Sequence, residues 1–237
     1  MIPVVFIRHG QSVWNEENRF TGWTDVGLTA LGQQEAIAAG NALAGHGFRF
    51  DEAFTSFLSR AIDTLQLIKD TMGLSSLPTT RAWQLNERHY GALQGLNKQE
   101  TAQKYGAEQV HQWRRGYAIR PPAIEYDDTR HPRYDERYQN LSAEQLPAHE
   151  SLQDTMARAY RYWQDTMVPK VREGQRLLVV AHGNSLRALV KGFDRISDEQ
   201  ITQLDIPTGK PLVYEFDDGM NAVHHYYLGE QKQVAFS

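Results

Sequence analysis

Cysteine is absent from the 237 residues, which excludes disulfides, thiolate catalysis and cysteine-held metal sites. A chain without thiols is in keeping with a reducing cytoplasm, its expected location. Long apolar runs are also missing, and nothing approaches the roughly 18 apolar residues that a membrane span requires. The opening Met1–Ile7 has neither a basic segment before its apolar run nor a small-residue cleavage site after it. It reads as a first strand and not as a signal peptide. Cations are not in excess: 25 Lys+Arg stand against 29 Asp+Glu, a net charge of −4. That balance argues against nonspecific binding of nucleic acid, so an anionic ligand must be held by a local cluster of cations. No internal repeat, low-complexity tract or linker interrupts the chain. With 41% apolar and 23% charged residues, a single domain over 1–237 with its own core is expected.

What is present alternates between strand-like and helix-like segments. Pro3–Arg8 and Leu177–Ala181 are continuous apolar runs of the kind buried strands use, and Glu52–Thr55 is a shorter one. Thr29 is placed to cap a helix ending near Gly45 or Gly47, and Ser59 to cap one closing at Gly73. Asn97-x-x-Glu100 opens a helix expected to run to Arg115, and Ser151-x-x-Asp154 opens an amphipathic one. Leu152, Met156, Ala159, Trp163 and Met167 recur along that second helix at core spacing. A further helix through Leu186, Leu189 and Val190 follows His182-Gly183-Asn184. Residues 121–146 are polar and aperiodic, an excursion over the surface or over a site. A hairpin is expected from Leu212–Phe216 and Ala222–Tyr227 around Asp218-Gly219. The alternation predicts an α/β fold: a mostly parallel sheet flanked by helices on both faces, with a C-terminal hairpin.

Ligands of open α/β sheets lie beyond the C-terminal ends of the strands. Two of the apolar runs end there in a histidine followed by glycine, Arg8-His9-Gly10 and His182-Gly183. A neutral imidazole is a competent nucleophile towards phosphorus. The charge spread over a phosphoryl group in transfer calls for fixed cations and donors, a role that Arg8 and Arg60 suit because guanidinium pairs bidentately with phosphate oxygens. His182, if protonated, could donate to the same group. His224-His225 reads as strand packing. His46, His111, His131 and His149 show no metal-ligand spacing, and no metal site is expected.

Arg8-His9-Gly10-Gln11-Ser12-x-Trp14-Asn15 resembles the signature of the histidine phosphatase superfamily. Within it, the chain is similar to the cofactor-dependent phosphoglycerate mutases through several further segments. These are Phe20-Thr21-Gly22-Trp23, Ser59-Arg60-Ala61-Ile62, Leu85–Gly95, Trp113-Arg114-Arg115, His182–Arg187 and Ile206-Pro207-Thr208-Gly209. The block Asn86–Gly95 with Trp113-Arg114-Arg115 is the most specific of them, while Val13 and His149 depart from the common pattern.

The resemblance implies roles. His9 would carry the phosphoryl group, His182 would stabilise it, and Glu87 would exchange a proton with the substrate hydroxyl. Arg8, Ser12, Asn15, Arg60, Gly183 and Asn184 would surround the phosphohistidine. Arg88, His89, Tyr90, Lys98, Arg114 and Arg115, with the Thr21-Gly22 backbone, would hold the far end of a small phosphorylated three-carbon acid. The implied reaction interconverts 2- and 3-phosphoglycerate, primed by 2,3-bisphosphoglycerate and needing no metal. Residues 121–146 and the tail 228–237 are candidate covers against water. Relatives form dimers or tetramers, so a homo-oligomer is expected. Two rivals are a phosphatase on the same scaffold and a non-catalytic phosphate-ligand sensor.

Overall fold

A computed structural model describes residues 1–230 and the backbone of Gln233–Val234. Seven strands form one sheet: β1 (Ile2–Arg8), β2 (Glu52–Thr55), β3 (Thr79–Arg81), β4 (Leu177–Ala181), β5 (Leu212–Phe216), β6 (Ala222–Tyr227) and β7 (Gln233–Val234). Their spatial order is β3-β2-β4-β1-β5-β6-β7. The first four positions are parallel, and β5, β6 and β7 add on antiparallel. The helices are α1 (Val13–Glu16), α2 (Ala30–Gly45), α3 (Ser59–Thr71), α4 (Lys98–Tyr105), α5 (Ala107–Arg115), α6 (Leu152–Tyr162), α7 (Val168–Arg172) and α8 (Gly183–Phe193).

The central strands are apolar throughout because both faces are covered. Along β1, Val4 and Phe6 point into one core while Val5 and Ile7 point into the other, the two-residue period of a pleated strand. In β4, Leu177, Val179 and Ala181 join the first core, with Trp163, Leu186 and Leu189 from the α6–α8 side. Leu178 and Val180 join the second, with Ala39 and Leu43 of α2 and Leu65 and Ile68 of α3. This is the expected sheet between two helical layers.

Several local expectations are corrected. The helix opened by Asn97 stops at Gly106, whose φ of 89° only glycine adopts readily. The chain restarts there as α5, which turns Arg114 and Arg115 inwards to the cavity described below. Leu58, not Ser59, occupies the cap of α3, and the Ser59 hydroxyl instead donates to Asp25 Oδ1 at 2.7 Å. In the β5–β6 hairpin the left-handed residue is Met220 (φ 64°) and not Gly219. The Asp217 carboxylate supports it by accepting from the Asn221 amide at 2.8 Å. Beyond α6 the helix passes through a π turn, Trp163–Met167, before Pro169. Proline donates no backbone hydrogen bond, so the ladder widens there.

Residues 121–146 are tied down by 3-10 turns at Pro132–Tyr134, Glu136–Tyr138 and Ala143–Gln145. Tyr138 is buried, its ring 4.8 Å from that of Trp23, and its hydroxyl accepts from Asn86 Nδ2 at 2.8 Å. The expected tail falls largely on residues 231–232 and 235–237, outside the described residues. No helix among the described residues is long and apolar enough to cross a membrane.

Candidate active site

Strands β1 and β4 pair in parallel with Arg8 opposite Ala181, and His9 N–H extends the ladder to Ala181 O at 3.0 Å. The residue following each strand is a histidine, so pairing and register alone put His9 beside His182. Their ring centroids lie 4.9 Å apart, and both residues are buried. The Nδ1 of His9 lies 2.7 Å from Gly10 O. A carbonyl can only accept, so Nδ1 carries the proton and Nε2 keeps its lone pair. Burial, then the charges of Arg60 and Arg8, hold the His9 pKa well below the usual histidine value. The imidazole is therefore neutral and nucleophilic at Nε2.

Gly10 has a packing reason for being glycine, since a Cβ there would lie 2.1 Å from Gly32 O at the start of α2. Gly183 faces the site itself: its Cβ position is 3.4 Å from Arg8 Nε and 3.7 Å from Glu87 Oε2. Arg8 donates from Nη1 to Ile206 O at 2.7 Å, and its buried Nε has no partner among the described residues. Arg60 spends its Nη groups on Gly22 O (2.8 Å) and Thr24 O (3.0 Å). Burial lowers its pKa to about 10, which leaves it charged at neutral pH. Gly22 (φ 57°) holds the loop in the left-handed turn that offers that carbonyl.

Glu87 is not in a surface ion pair with Arg88. Its carboxylate accepts from the backbone amides of Arg88 (2.7 Å) and Asn184 (3.2 Å), at the N-terminus of α8, where the helix dipole favours an anion. Arg88 is wholly buried, donating from Nη2 to Tyr90 Oη at 2.9 Å and Arg114 O at 2.6 Å. Its Nε and Nη1 find no partner among the described residues. Burial opposes ionisation of Tyr90, but the Arg88 charge and hydrogen bond outweigh it and pull the phenol below its usual pKa. Burial also lowers Lys98, with Arg114 and Arg8 adding to it against Tyr90.

These groups enclose a cavity of about 100 Å³. Of the expected residues, Arg8, Asn15, Thr21, Gly22, Glu87, Tyr90, Lys98, Arg114, Arg115, Gly183 and Asn184 line it. His9, His182, Ser12, Arg60 and Arg88 are not among its lining residues. Ser12 caps α1, its Oγ accepting from Asn15 N at 3.3 Å. His89 does not line the cavity; its Nδ1 accepts from Gly91 N at 3.0 Å and its ring packs against Trp23. Three lining residues escaped the sequence reading: Arg19, Arg187 and Asp205. Arg187 stood within a quoted motif, whereas Arg19 and Asp205 carry no sequence signal. The lining sets Arg8, Arg19, Lys98, Arg114, Arg115 and Arg187 against only Glu87 and Asp205. Of the lining arginines, Arg8 and Arg187 each keep a buried Nε without a hydrogen-bond partner among the described residues, which suits an anionic ligand.

Elsewhere, the strand histidines are more than packing. His225 Nδ1 lies 3.3 Å from Asp194 Oδ2, and His224 Nδ1 lies 3.6 Å from Glu215 Oε2. Among the described residues no group of three His, Cys, Asp or Glu side chains is arranged to hold a metal.

The buried histidines make stability depend on acid. Burial keeps His9 and His182 well below 6.5 and His89 at about 3. An unfolded chain protonates all three near 6.5, while the folded one does not. Their contribution is thus complete above about pH 6.5 and is lost as pH falls towards the folded values, at roughly 1.4 kcal/mol per pH unit for each. Urea unfolding between pH 6.5 and 4 should show a slope about one proton shallower in His89→Gln. An unchanged slope would refute the account.

A parallel sheet that delivers two neutral histidines side by side among arginines is the architecture of a phosphoryl-transfer enzyme. The profile of the histidine phosphatase superfamily (branch 1) matches residues 4–132 and 123–228, and the chain belongs to that superfamily. Among solved structures it is similar to a mycobacterial glucosyl-3-phosphoglycerate phosphatase complexed with VO3, with a TM-score of 0.72 and 20% identity over 100% of both chains. The alpha-ribazole phosphatase of Shigella flexneri aligns at a TM-score of 0.68 and 20% identity, covering 100% of this chain and 96% of the other. Bacillus stearothermophilus YhfR aligns at 0.69 and 22% over 94% of each. At these identities the likeness is one of fold.

Proposed function

We propose that the protein is a phosphoglycerate mutase that interconverts 2- and 3-phosphoglycerate through phosphorylated His9. The observation that carries this reading is the second cationic end of the cavity, built from Lys98, Arg114 and Arg115 beside buried Arg88. A phosphoglycerate presents a carboxylate as well as a phosphate, and this second end supplies the cations and donors that a carboxylate would need. Size points the same way: about 100 Å³ is well below the roughly 300 Å³ at which sites for drug-sized ligands begin.

2,3-Bisphosphoglycerate, when bound, supplies the phosphoryl group that primes His9. Arg8 and His182 then hold the equatorial oxygens, Arg60 supplies charge from behind, and Glu87 takes the proton of the attacking substrate hydroxyl. When the other phosphoryl group passes to His9 Nε2, Glu87 would give its proton back to the oxygen that leaves, so that both residues end as they began. Water must stay out for this to succeed, because an exposed phosphohistidine hydrolyses.

The test supplies purified protein with 3-phosphoglycerate and a trace of 2,3-bisphosphoglycerate, and measures 2-phosphoglycerate and free phosphate together. Isomerisation that depends on the trace compound, with little free phosphate, is expected. Free phosphate without isomerisation would make it a phosphatase like those its relatives are named for. Loss of the Arg114 guanidinium in Arg114→Ala removes one charge-assisted contact, worth roughly 1.5–3 kcal/mol. KM should rise accordingly by about 10- to 150-fold, and an unchanged KM would remove Arg114 from the substrate site.

A further inference from the structure

Asp205 stands in the loop between the 3-10 turn Gln200–Gln203 and β5, and it lines a cavity otherwise crowded with cations. A carboxylate there opposes any anion that enters. The other acid of the lining, Glu87, is held by backbone amides, whereas Asp205 Oδ1 lies 3.2 Å from both Nη1 and Nη2 of Arg115. Among the described residues this is the one ion pair that joins two groups of the lining, and Lys98 and Arg114 make none.

Arg115 does not depend on the pair for its position. Its Nη1 also donates to Leu204 O at 3.1 Å, and Ile206 O accepts from Arg8 Nη1 at 2.7 Å. Backbone carbonyls on either side of Asp205 therefore hold two guanidiniums of the cavity, and the side chain between them adds charge more than geometry. The pair is open to water, with the Asp205 side chain 62% exposed and that of Arg115 28%. Such a pair is weak and is screened by salt, so an incoming anion can displace the aspartate.

We propose that Asp205 is a specificity-determining residue that contests Arg115 with the far anionic group of the ligand. A carboxylate binding there must displace it, whereas a ligand with a neutral hydroxyl in that place leaves the pair intact. The preference of the site for a charged far end is thus smaller than its arginines alone would give. The inference rests on the reading of this end as the seat of a carboxylate, but it is measured by binding and not by turnover.

Calorimetric titration of His9→Ala protein, in which turnover is blocked, compares 3-phosphoglycerate with glycerol 3-phosphate. The two share the phosphate and differ in having a carboxylate or a hydroxymethyl group at the far end. Adding Asp205→Asn keeps an oxygen for Arg115 and removes the charge. It should tighten 3-phosphoglycerate about 5-fold and leave glycerol 3-phosphate within about 2-fold. The gain should fade in about 0.5 M salt, and in Arg115→Gln protein the same substitution should no longer favour 3-phosphoglycerate. An equal gain for both ligands, or a selective gain that persists without Arg115, would overturn the proposal. So would unchanged or weaker binding of 3-phosphoglycerate, which would make Asp205 a brace for Arg115. Selective tightening in a protein that frees phosphate without isomerising would refute the mutase reading and leave the role of Asp205 standing. Isomerisation without selective tightening would do the reverse.

Discussion

Replacing His9 with alanine is expected to abolish turnover, by on the order of 10⁵–10⁶-fold, the scale seen when a covalent nucleophile is lost. Nothing nearby can take its place. His182 is the nearest imidazole, but its Nε2 is engaged with Ser56, and the chain has no cysteine. The fold should survive, because His9 contributes one side-chain hydrogen bond, to the carbonyl of its own neighbour Gly10. Incubation with a radiolabelled phosphoryl donor, followed by alkaline quench to preserve phosphohistidine, should label the wild type and not His9→Ala. His182→Ala should be milder, about 10²–10³-fold, as for removal of one transition-state donor. Turnover retained by His9→Ala would eliminate the covalent route through His9.

The second large effect is expected at a pair of residues that does not itself line the cavity. Glu150 and Arg158 form a buried ion pair at 2.7 Å, with side chains only 6% and 8% exposed. Arg158 also donates to the carbonyls of Gln84 (2.7 Å), Asn86 (3.0 Å) and Glu87 (2.9 Å), and Glu150 Oε2 accepts from His89 N at 2.8 Å. The pair thus braces the backbone that carries Glu87 and Arg88. In Glu150→Ala the guanidinium stays buried without its counter-ion, which should cost about 3–5 kcal/mol of stability, measurable by urea unfolding at pH 7.5. At a temperature where the variant remains folded, kcat should fall more than KM rises, because Glu87 is the less firmly placed group. A loss below about 1 kcal/mol would mean that the pair is solvated and braces nothing.

The elements were largely legible because each is a local matter. The limits of β4, β5 and β6 coincide with the segments expected as strands, and Thr29, Asn97 and Ser151 cap the helices that they head. The failures were places where a distant group competes with the local signal. Ser59 has the chemistry of a cap, but Asp25 takes its hydroxyl. Asp218-Gly219 is a strong turn signal, yet Asp217 and Asn221 move the left-handed residue to Met220. Gly106 was visible, but a lone glycine within a helical pattern costs only about 1 kcal/mol and does not by itself announce a break.

In the site, sequence reached candidate residues that stand in motifs and not the groups that hold them. His9, Glu87 and Arg114 stand in recognisable blocks. Arg19, Asp205, Ser56 and the Glu150–Arg158 brace act on groups distant in the chain, and no spacing rule reaches that far.

The amino-acid sequence by itself determined the alternation of strands and helices, the two histidines at strand ends and the membership of a phosphoryl-transfer superfamily, because period, capping and motif are properties of neighbours. Only the tertiary structure decided that β1 and β4 lie side by side in the register that joins His9 to His182. It also decided that Arg60 and Arg88 are buried, and which buried donors have no hydrogen-bond partner among the described residues. Burial and unsatisfied hydrogen bonds are set by what packs around a group, and most of that surrounding comes from elsewhere in the chain.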